Sequence, residues 1–250
     1  MKKIGIKSHT SDKEVNLLED FVKILQNSPI PQEQIFENLG LFLKSKDLSR
    51  ILFLNHIYKK ILDVQGVVFD FGTRWGQNMA VFSALRGIYE PFNRHRKIVG
   101  FDTFSGFPKV SKQDGKSDLM KSGNVTVSKN YEQYLEEIMA AHEASYPLSH
   151  IKKYEIIKGD ASVKIKKYLA RNPETIVSLA YFDFDIYKPT KDCLQAIKPH
   201  LVKGAVLAFD ELNDHDSPGE TLALKELFSL SSISLKRYPY TSRVSYFVVN

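Results

Sequence analysis

The feature that most restricts this chain is an alternation that begins at Gln65 and runs almost to the C-terminus. Short β-branched or apolar runs stand at residues 66–71, 98–101, 154–157, 176–184 and 205–209. Segments with helical spacing separate them, at residues 77–90, 131–144, 162–170 and 190–198. In the second of these, Tyr134, Leu135, Ile138, Met139 and Ala141 make one apolar stripe. Strands that alternate with helices predict βαβ units, because parallel neighbours need a long crossover and the crossover helix covers a face of the sheet. The end of the chain differs. After a helix at about residues 221–230 come two strand-like runs, 233–238 and 244–249, joined by Pro239-Tyr240-Thr241-Ser242. That spacing suits an antiparallel hairpin finishing the sheet.

Before the alternation, residues 1–64 read as a helical N-terminal cap belonging to the same unit. Val15, Leu18, Phe21, Val22 and Leu25 fall at helical spacing behind Ser11 and Asp12 as cap residues, and Pro29-Ile30-Pro31 breaks the pattern. A second apolar set, from Leu48 through Ile57 to Leu62, predicts another helix ending near Asp63. The fold expected is therefore α/β: a doubly wound, Rossmann-like, mostly parallel sheet with a C-terminal antiparallel hairpin and a helical cap. A polar stretch at residues 109–130, rich in Ser, Lys, Gly and Asp, interrupts the alternation after the second strand and reads as a lid-like insertion.

With 250 residues, 43% apolar and 26% charged, the chain has the composition of one globular domain with an added cap. Its single cysteine, Cys193, excludes a disulfide framework and a cysteine-based zinc site. Met1-Lys2-Lys3-Ile4-Gly5 leads straight into polar residues without the apolar core of a secretory signal, and no apolar stretch approaches the roughly 20 residues of a membrane span. A cytoplasmic, reducing compartment is expected, with no membrane partner. The net charge of +6 raises nucleic acid, an anionic membrane surface or an anionic small substrate as partners. The lysines are scattered, at 109, 112, 116, 121 and 129 and again at 164, 166 and 167, which reads as a solvated surface and not as a nucleic-acid stripe.

In an open parallel sheet, ligands bind beyond the carboxyl ends of the strands, near the switch in strand order. Those ends are acidic here: Asp70, Asp102, Asp160, Asp183, Asp185, Asp210 and Glu211. The first turn, Phe71-Gly72-Thr73-Arg74-Trp75-Gly76, is neither GxGxxG nor a P-loop, so it is poorly suited to a pyrophosphate. Asp102 ends the second strand, 26 residues after Gly76, where a carboxylate can accept from ribose hydroxyls. Asp160, in Gly159-Asp160-Ala161-Ser162, can accept from an exocyclic amine or cap the next helix. Tyr181-Phe182-Asp183-Phe184-Asp185 is followed by Phe209-Asp210-Glu211, and neighbouring strands would bring these carboxylates together. Such a group repels itself unless a positive charge sits within it: a hard divalent ion, or a nearby Arg or Lys for each carboxylate. His215, in the following loop, is a candidate general base.

Together these segments resemble class I S-adenosylmethionine-dependent methyltransferases. More narrowly, Phe71-Gly72-Thr73-Arg74-Trp75-Gly76, Asp102-Thr103-Phe104-Ser105-Gly106-Phe107-Pro108 and Asp183-Phe184-Asp185-Ile186-Tyr187-Lys188-Pro189-Thr190 resemble the macrocin O-methyltransferase family, which methylates sugar hydroxyls with the help of a divalent metal. The resemblance covers residues 65–212 and makes residues 65–250 a methyltransferase domain. It implies that S-adenosylmethionine lies against Phe71, Gly72, Thr73, Arg74, Trp75, Gly76, Asp102, Thr103, Phe104, Asp160, Ala161 and Asp183. It also implies that Asp183, Asp210 and Glu211 hold Mg²⁺ or another divalent cation. Phe184 stands where the family commonly has Gly, and Glu211 where it commonly has Asp.

The implied reaction is an in-line displacement at the sulfonium methyl by a sugar hydroxyl, with His215 or Asp185 taking the proton. The acceptor would be a small-molecule glycoside or sugar nucleotide, and the enzyme a homo-oligomer, a dimer or higher. Two other readings are compatible with the same fold: a methyltransferase acting on RNA or another anionic acceptor, and a non-catalytic cofactor-binding scaffold.

Overall fold

The structure is a computed structural model of the chain, and residues 11–250 are described. The opening Met1–Gly5 stretch, which carried the reading on a secretory signal, lies outside them. Two helices come first, α1 (Asp12–Gln26) and α2 (Ser45–Lys59), with 3₁₀ turns between them. Then follow β1 (Val67–Phe71), α3 (Gln77–Tyr89), β2 (Ile98–Asp102), α4 (Tyr131–Ala144), β3 (Tyr154–Lys158), α5 (Ala161–Arg171), β4 (Val177–Phe182), α6 (Tyr187–Ile197), β5 (Leu201–Phe209), α7 (Gly219–Leu227), β6 (Lys236–Arg237) and β7 (Ser245–Val248). The strands form one sheet in the order β3-β2-β1-β4-β5-β7-β6. The first five neighbours run parallel and β7 runs antiparallel to both β5 and β6. The chain builds outward from β1 to β3, then returns to lay β4 on the other side of β1. This reversal opens a crevice between the two halves at the carboxyl ends of β1 and β4.

Period-two alternation sorts the strand side chains between two cores. Val68, Leu179, Tyr181, Val206 and Ala208 face α2, α3 and α4, where they pack on Phe53, Ile57, Phe82 and Met139. Phe69, Phe71, Ala180, Phe182, Leu207 and Phe209 face α5, α6 and α7, with Ile165, Leu194 and Leu224; the lone Cys193 is buried in this second core. Thus α2 is one of the helices covering the sheet. By contrast, α1 exposes Leu18, Phe21, Val22 and Leu25, and none of Val15–Leu25 enters either core.

Element boundaries moved where the expectation ignored local geometry. The fourth strand stops at Phe182 and not at 184, because Asp185 takes a left-handed backbone (φ 60°) that ends the pleat. The helix expected from 190 starts at Tyr187, since Pro189 lies in its first turn, where its missing N–H costs nothing. β5 begins at Leu201, four residues early. β6 shrinks to two residues at the sheet edge, in keeping with the shortness of native edge strands. The second N-terminal helix ends at Lys59, after which turns carry Ile61 into the first core. Among the described residues no helix is long and apolar enough to cross a membrane.

Candidate active site

A cavity of about 900 Å³ opens at the switch point. The loop after β1 enters it with Gly72, Thr73, Arg74 and Trp75, the loop after β2 with Asp102 and Thr103, and the turn after β3 with Gly159, Asp160 and Ala161. On the other side stand Asp183 and Asp185 after β4, and Asp210 and Glu211 after β5. Arg50 of α2 and the segment from Tyr240 to Val244 close it. Gly72 has φ 90°, and a Cβ there would lie 2.0 Å from the Asp183 carbonyl oxygen. Only glycine lets the β1 and β4 loops approach so closely.

Asp102 is held in place by backbone donors. The N–H of Arg74 donates to its Oδ2 at 2.8 Å and that of Phe104 to its Oδ1 at 2.6 Å. Burial pushes the Asp102 carboxyl up, while these two N–H groups hold it down; the net direction is up. The carboxylate is thereby fixed, and it lines the cavity. Asp160 is exposed and serves as the N-cap of α5, accepting from the Ser162 N–H at 2.9 Å, and it lines the cavity as well.

The acidic end is organised by two arginines. Arg50 donates from Nη2 to Asp183 Oδ2 at 2.6 Å and from Nη1 to Asp210 Oδ1 at 2.9 Å. Tyr181 OH, fully buried, donates to the same Asp210 oxygen at 2.7 Å. Arg243 pairs with Glu211, whose other oxygen, Oε2, is buried without a partner. Behind them lies Glu220, wholly buried on α7. It accepts the N–H groups of Phe184 (3.0 Å) and Asp185 (3.4 Å) on Oε1 and that of Glu211 (3.2 Å) on Oε2. One carboxylate therefore ties the loop after β4 to the loop after β5. Burial and then the neighbouring carboxylates push Asp183 and Glu220 well above the carboxylate range, and Asp185 to about 6.

Sequence-level expectation and structure part at several residues. Phe71 does not reach the cavity; its ring is buried between Phe101 (5.0 Å) and Phe182 (4.8 Å) in the second core. Gly76 caps α3 with a left-handed backbone (φ 78°), and Phe104 is buried in the first core, offering only its N–H to Asp102. His215 is exposed and does not line the cavity, because the loop after β5 carries it outward, so it is not placed to take a proton there. Asp185 does line the cavity and is buried. Arg50, Asn78, Tyr181, Glu220 and Arg243 were not singled out from the sequence. Arg50 and Asn78 did leave a trace: each is a polar residue three or four positions before buried apolar ones on its helix, Phe53 and Leu54 for Arg50 and Phe82 for Asn78.

No protein-family profile matches the chain, and no curated protein matches it by sequence. Solved structures do. The crystal structure of CalS11, a calicheamicin methyltransferase, superposes with a TM-score of 0.94 at 40% identity, covering 96% of this chain and 94% of that one. A second CalS11 structure, described as a TDP-rhamnose 3′-O-methyltransferase of calicheamicin biosynthesis, gives 0.85 at 38% identity over 96% of both chains. The O-methyltransferase NovP gives 0.59 at 18% identity over 80% and 79%, a likeness of fold.

The doubly wound sheet with its antiparallel end and its cavity at the switch point is that of a class I S-adenosylmethionine-dependent methyltransferase. The identity to CalS11 over nearly the whole of both chains places the protein further. It belongs to the sugar O-methyltransferases of the macrocin O-methyltransferase family, and it is a methyltransferase enzyme.

Proposed function

We propose that the protein transfers the methyl group of S-adenosylmethionine to a hydroxyl of a sugar carried on a small molecule, with a divalent cation at the acidic end of the cavity. The observation that carries this reading is the continuity of the cavity, from the preorganised Asp102 at one end to Asp183 and Asp210 at the other. Asp102 would accept from the ribose, Gly72 to Trp75 would follow the methionine portion, and Asp160 with Ala161 would border the adenine. When bound, the cofactor supplies an electrophilic methyl on a sulfonium.

The donor set suits a hard cation: oxygen ligands on adjacent strand ends, an unsatisfied buried Glu211 Oε2, and carboxyls held high by burial and then by one another. Among the described residues no three His, Cys, Asp or Glu side chains are grouped as a metal site; Asp183 and Asp210 are bridged by Arg50, and Glu211 pairs with Arg243. Asp183, Asp210 and Glu211 would hold Mg²⁺, which lowers the pKa of a coordinated hydroxyl. Asp185 is the cavity-lining carboxylate of the β4 and β5 loops left outside that set, and the candidate to take the proton. The chain's own contribution is positioning, since an in-line displacement gains most from holding acceptor and methyl in register.

One of the CalS11 structures is described as acting on TDP-rhamnose. Exposed Lys46 and Arg74, with Trp75 and Tyr240, border the cavity here, a rim suited to a sugar on an anionic, ring-bearing carrier. A nucleoside-diphosphate sugar is therefore the acceptor class we favour over a finished glycoside.

Calorimetric titration with S-adenosylmethionine, with and without Mg²⁺, tests the cofactor half. Micromolar binding that Asp102→Ala weakens about tenfold, the loss of one charged hydrogen bond, is the expected result. Absence of binding in both conditions would sink the reading. Mass spectrometry of a panel of nucleoside-diphosphate sugars and glycosides after incubation then decides the acceptor.

A further inference from the structure

Arg50 has no part in the reaction proposed above, yet its guanidinium occupies the space between the two carboxylates that a metal would need. It contacts one oxygen of each, at 2.6 and 2.9 Å, and lies 5.7 Å from the centroid of the buried Tyr181 ring. It comes from α2, far away in sequence, and its side chain remains about a third exposed, so it can leave without unpacking the core. A second acceptor is already in place: Asn78 Oδ1 takes Nε at 3.4 Å and Nη2 at 3.3 Å, and Asn78 is fixed in turn by donating to Asp70 at 3.0 Å.

We propose that Arg50 is an exchangeable counter-cation: it offsets one of the two negative charges of Asp183 and Asp210 in the metal-free enzyme and yields both carboxylates to a divalent ion, keeping Asn78 as its partner. This rests on the metal-assisted reading of the same cavity. The physical reason is charge. Two carboxylates at hydrogen-bonding distance from one guanidinium retain an uncompensated negative charge, which a divalent ion removes and a monovalent one does not. A tethered guanidinium nonetheless competes at high effective concentration, so Arg50 lowers the affinity of the pair for metal and keeps the carboxylates from splaying when metal is scarce. If Arg50 were only a structural brace, its loss would let the pair separate and would weaken metal binding. The two roles predict opposite signs.

The test is Mn²⁺ binding followed by the paramagnetic resonance signal of the free aquo ion, on full-length protein without cofactor or acceptor. Arg50→Met is expected to bind Mn²⁺ at least tenfold more tightly than the wild type, and Arg50→Met with Asp183→Asn to lose that gain. Arg50→Lys, whose ammonium cannot span both oxygens in a fork, is expected to show a smaller gain and serves if the Met variant does not fold. Equal or weaker binding in the folded Arg50 variants, with wild-type binding that Asp183→Asn abolishes, would overturn the exchange and leave the metal reading standing. No bound Mn²⁺ in any variant would overturn both.

Discussion

At the scale of single residues, the site is governed by carboxylates whose surroundings differ sharply. Asp70 is wholly buried behind the cavity; Asn78 Nδ2 donates to its Oδ1, and its Oδ2 has no partner. Burial, the largest cause, pushes its carboxyl from 3.8 up to about 6. Because the folded value lies above the unfolded one, the folded state holds this proton more tightly. The destabilisation from ionising it is absent below pH 3.8, grows as the pH rises, and is complete above pH 6. Asp70→Asn is expected to match the wild type in urea unfolding at pH 4 and to exceed it by up to about 3 kcal/mol at pH 8. A gain or loss of the same size at both pH values would refute the assignment. Asp102 was legible as a candidate because it ends the second strand, where the crevice of an open parallel sheet lies. Arg50 was not, since no rule of spacing says that an arginine 133 residues before Asp183 will meet it.

Among the elements, the loops after β4 and β5 have to be held together if their carboxylates are to share a ligand, and Glu220 does this from α7. Removing it leaves the N–H groups of Phe184, Asp185 and Glu211 without their acceptor inside the protein. Glu220→Ala is expected to cost about 3 kcal/mol in urea unfolding and to reduce kcat by more than it raises the cofactor Kd, because Asp102 and the β1 loop are untouched. Equal losses in both would show general unfolding of the site. The insertion after β2 is tied in a comparable way. Asp114, buried, accepts the Tyr187 N–H at 2.5 Å on one oxygen and both the N–H and the hydroxyl of Ser111 on the other. Asp114→Ala should speed tryptic cleavage at Lys112, Lys116 or Lys121 severalfold while global stability changes little; unchanged cleavage would mean the insertion is held elsewhere. The strand–helix alternation was readable from apolar periodicity alone, since each element buries one face. Glu220 left no such signal: a glutamate near a helix start looks like a favourable dipole partner, and only the fold reveals that it is sealed inside.

For the whole molecule, the decisive arrangement is that two cores flank the sheet and α2 belongs to one of them, whereas none of Val15–Leu25 on α1 enters either. A chain lacking residues 1–30 is therefore expected to unfold at the same urea concentration as the full chain, and one shortened through residue 59 to lose cooperative unfolding. If the exposed Leu18, Phe21, Val22 and Leu25 join copies of the chain, as the homo-oligomer expectation implies, the shorter truncation will also lower the sedimenting mass to that of a monomer. A truncation that sediments like the full chain would place the contact elsewhere. The same two-core arrangement makes the solitary thiol of Cys193 a clock. It sits on α6 against the strands, sealed from solvent, and every other position in the sequence lacks sulfhydryl chemistry. Disulfide-exchange reagents can reach it only when that helix lifts from the sheet. The rate of its labelling thus times the lifting of α6 from the sheet, with no engineered probe, and a ligand that bridges the β4 and β5 loops will slow it.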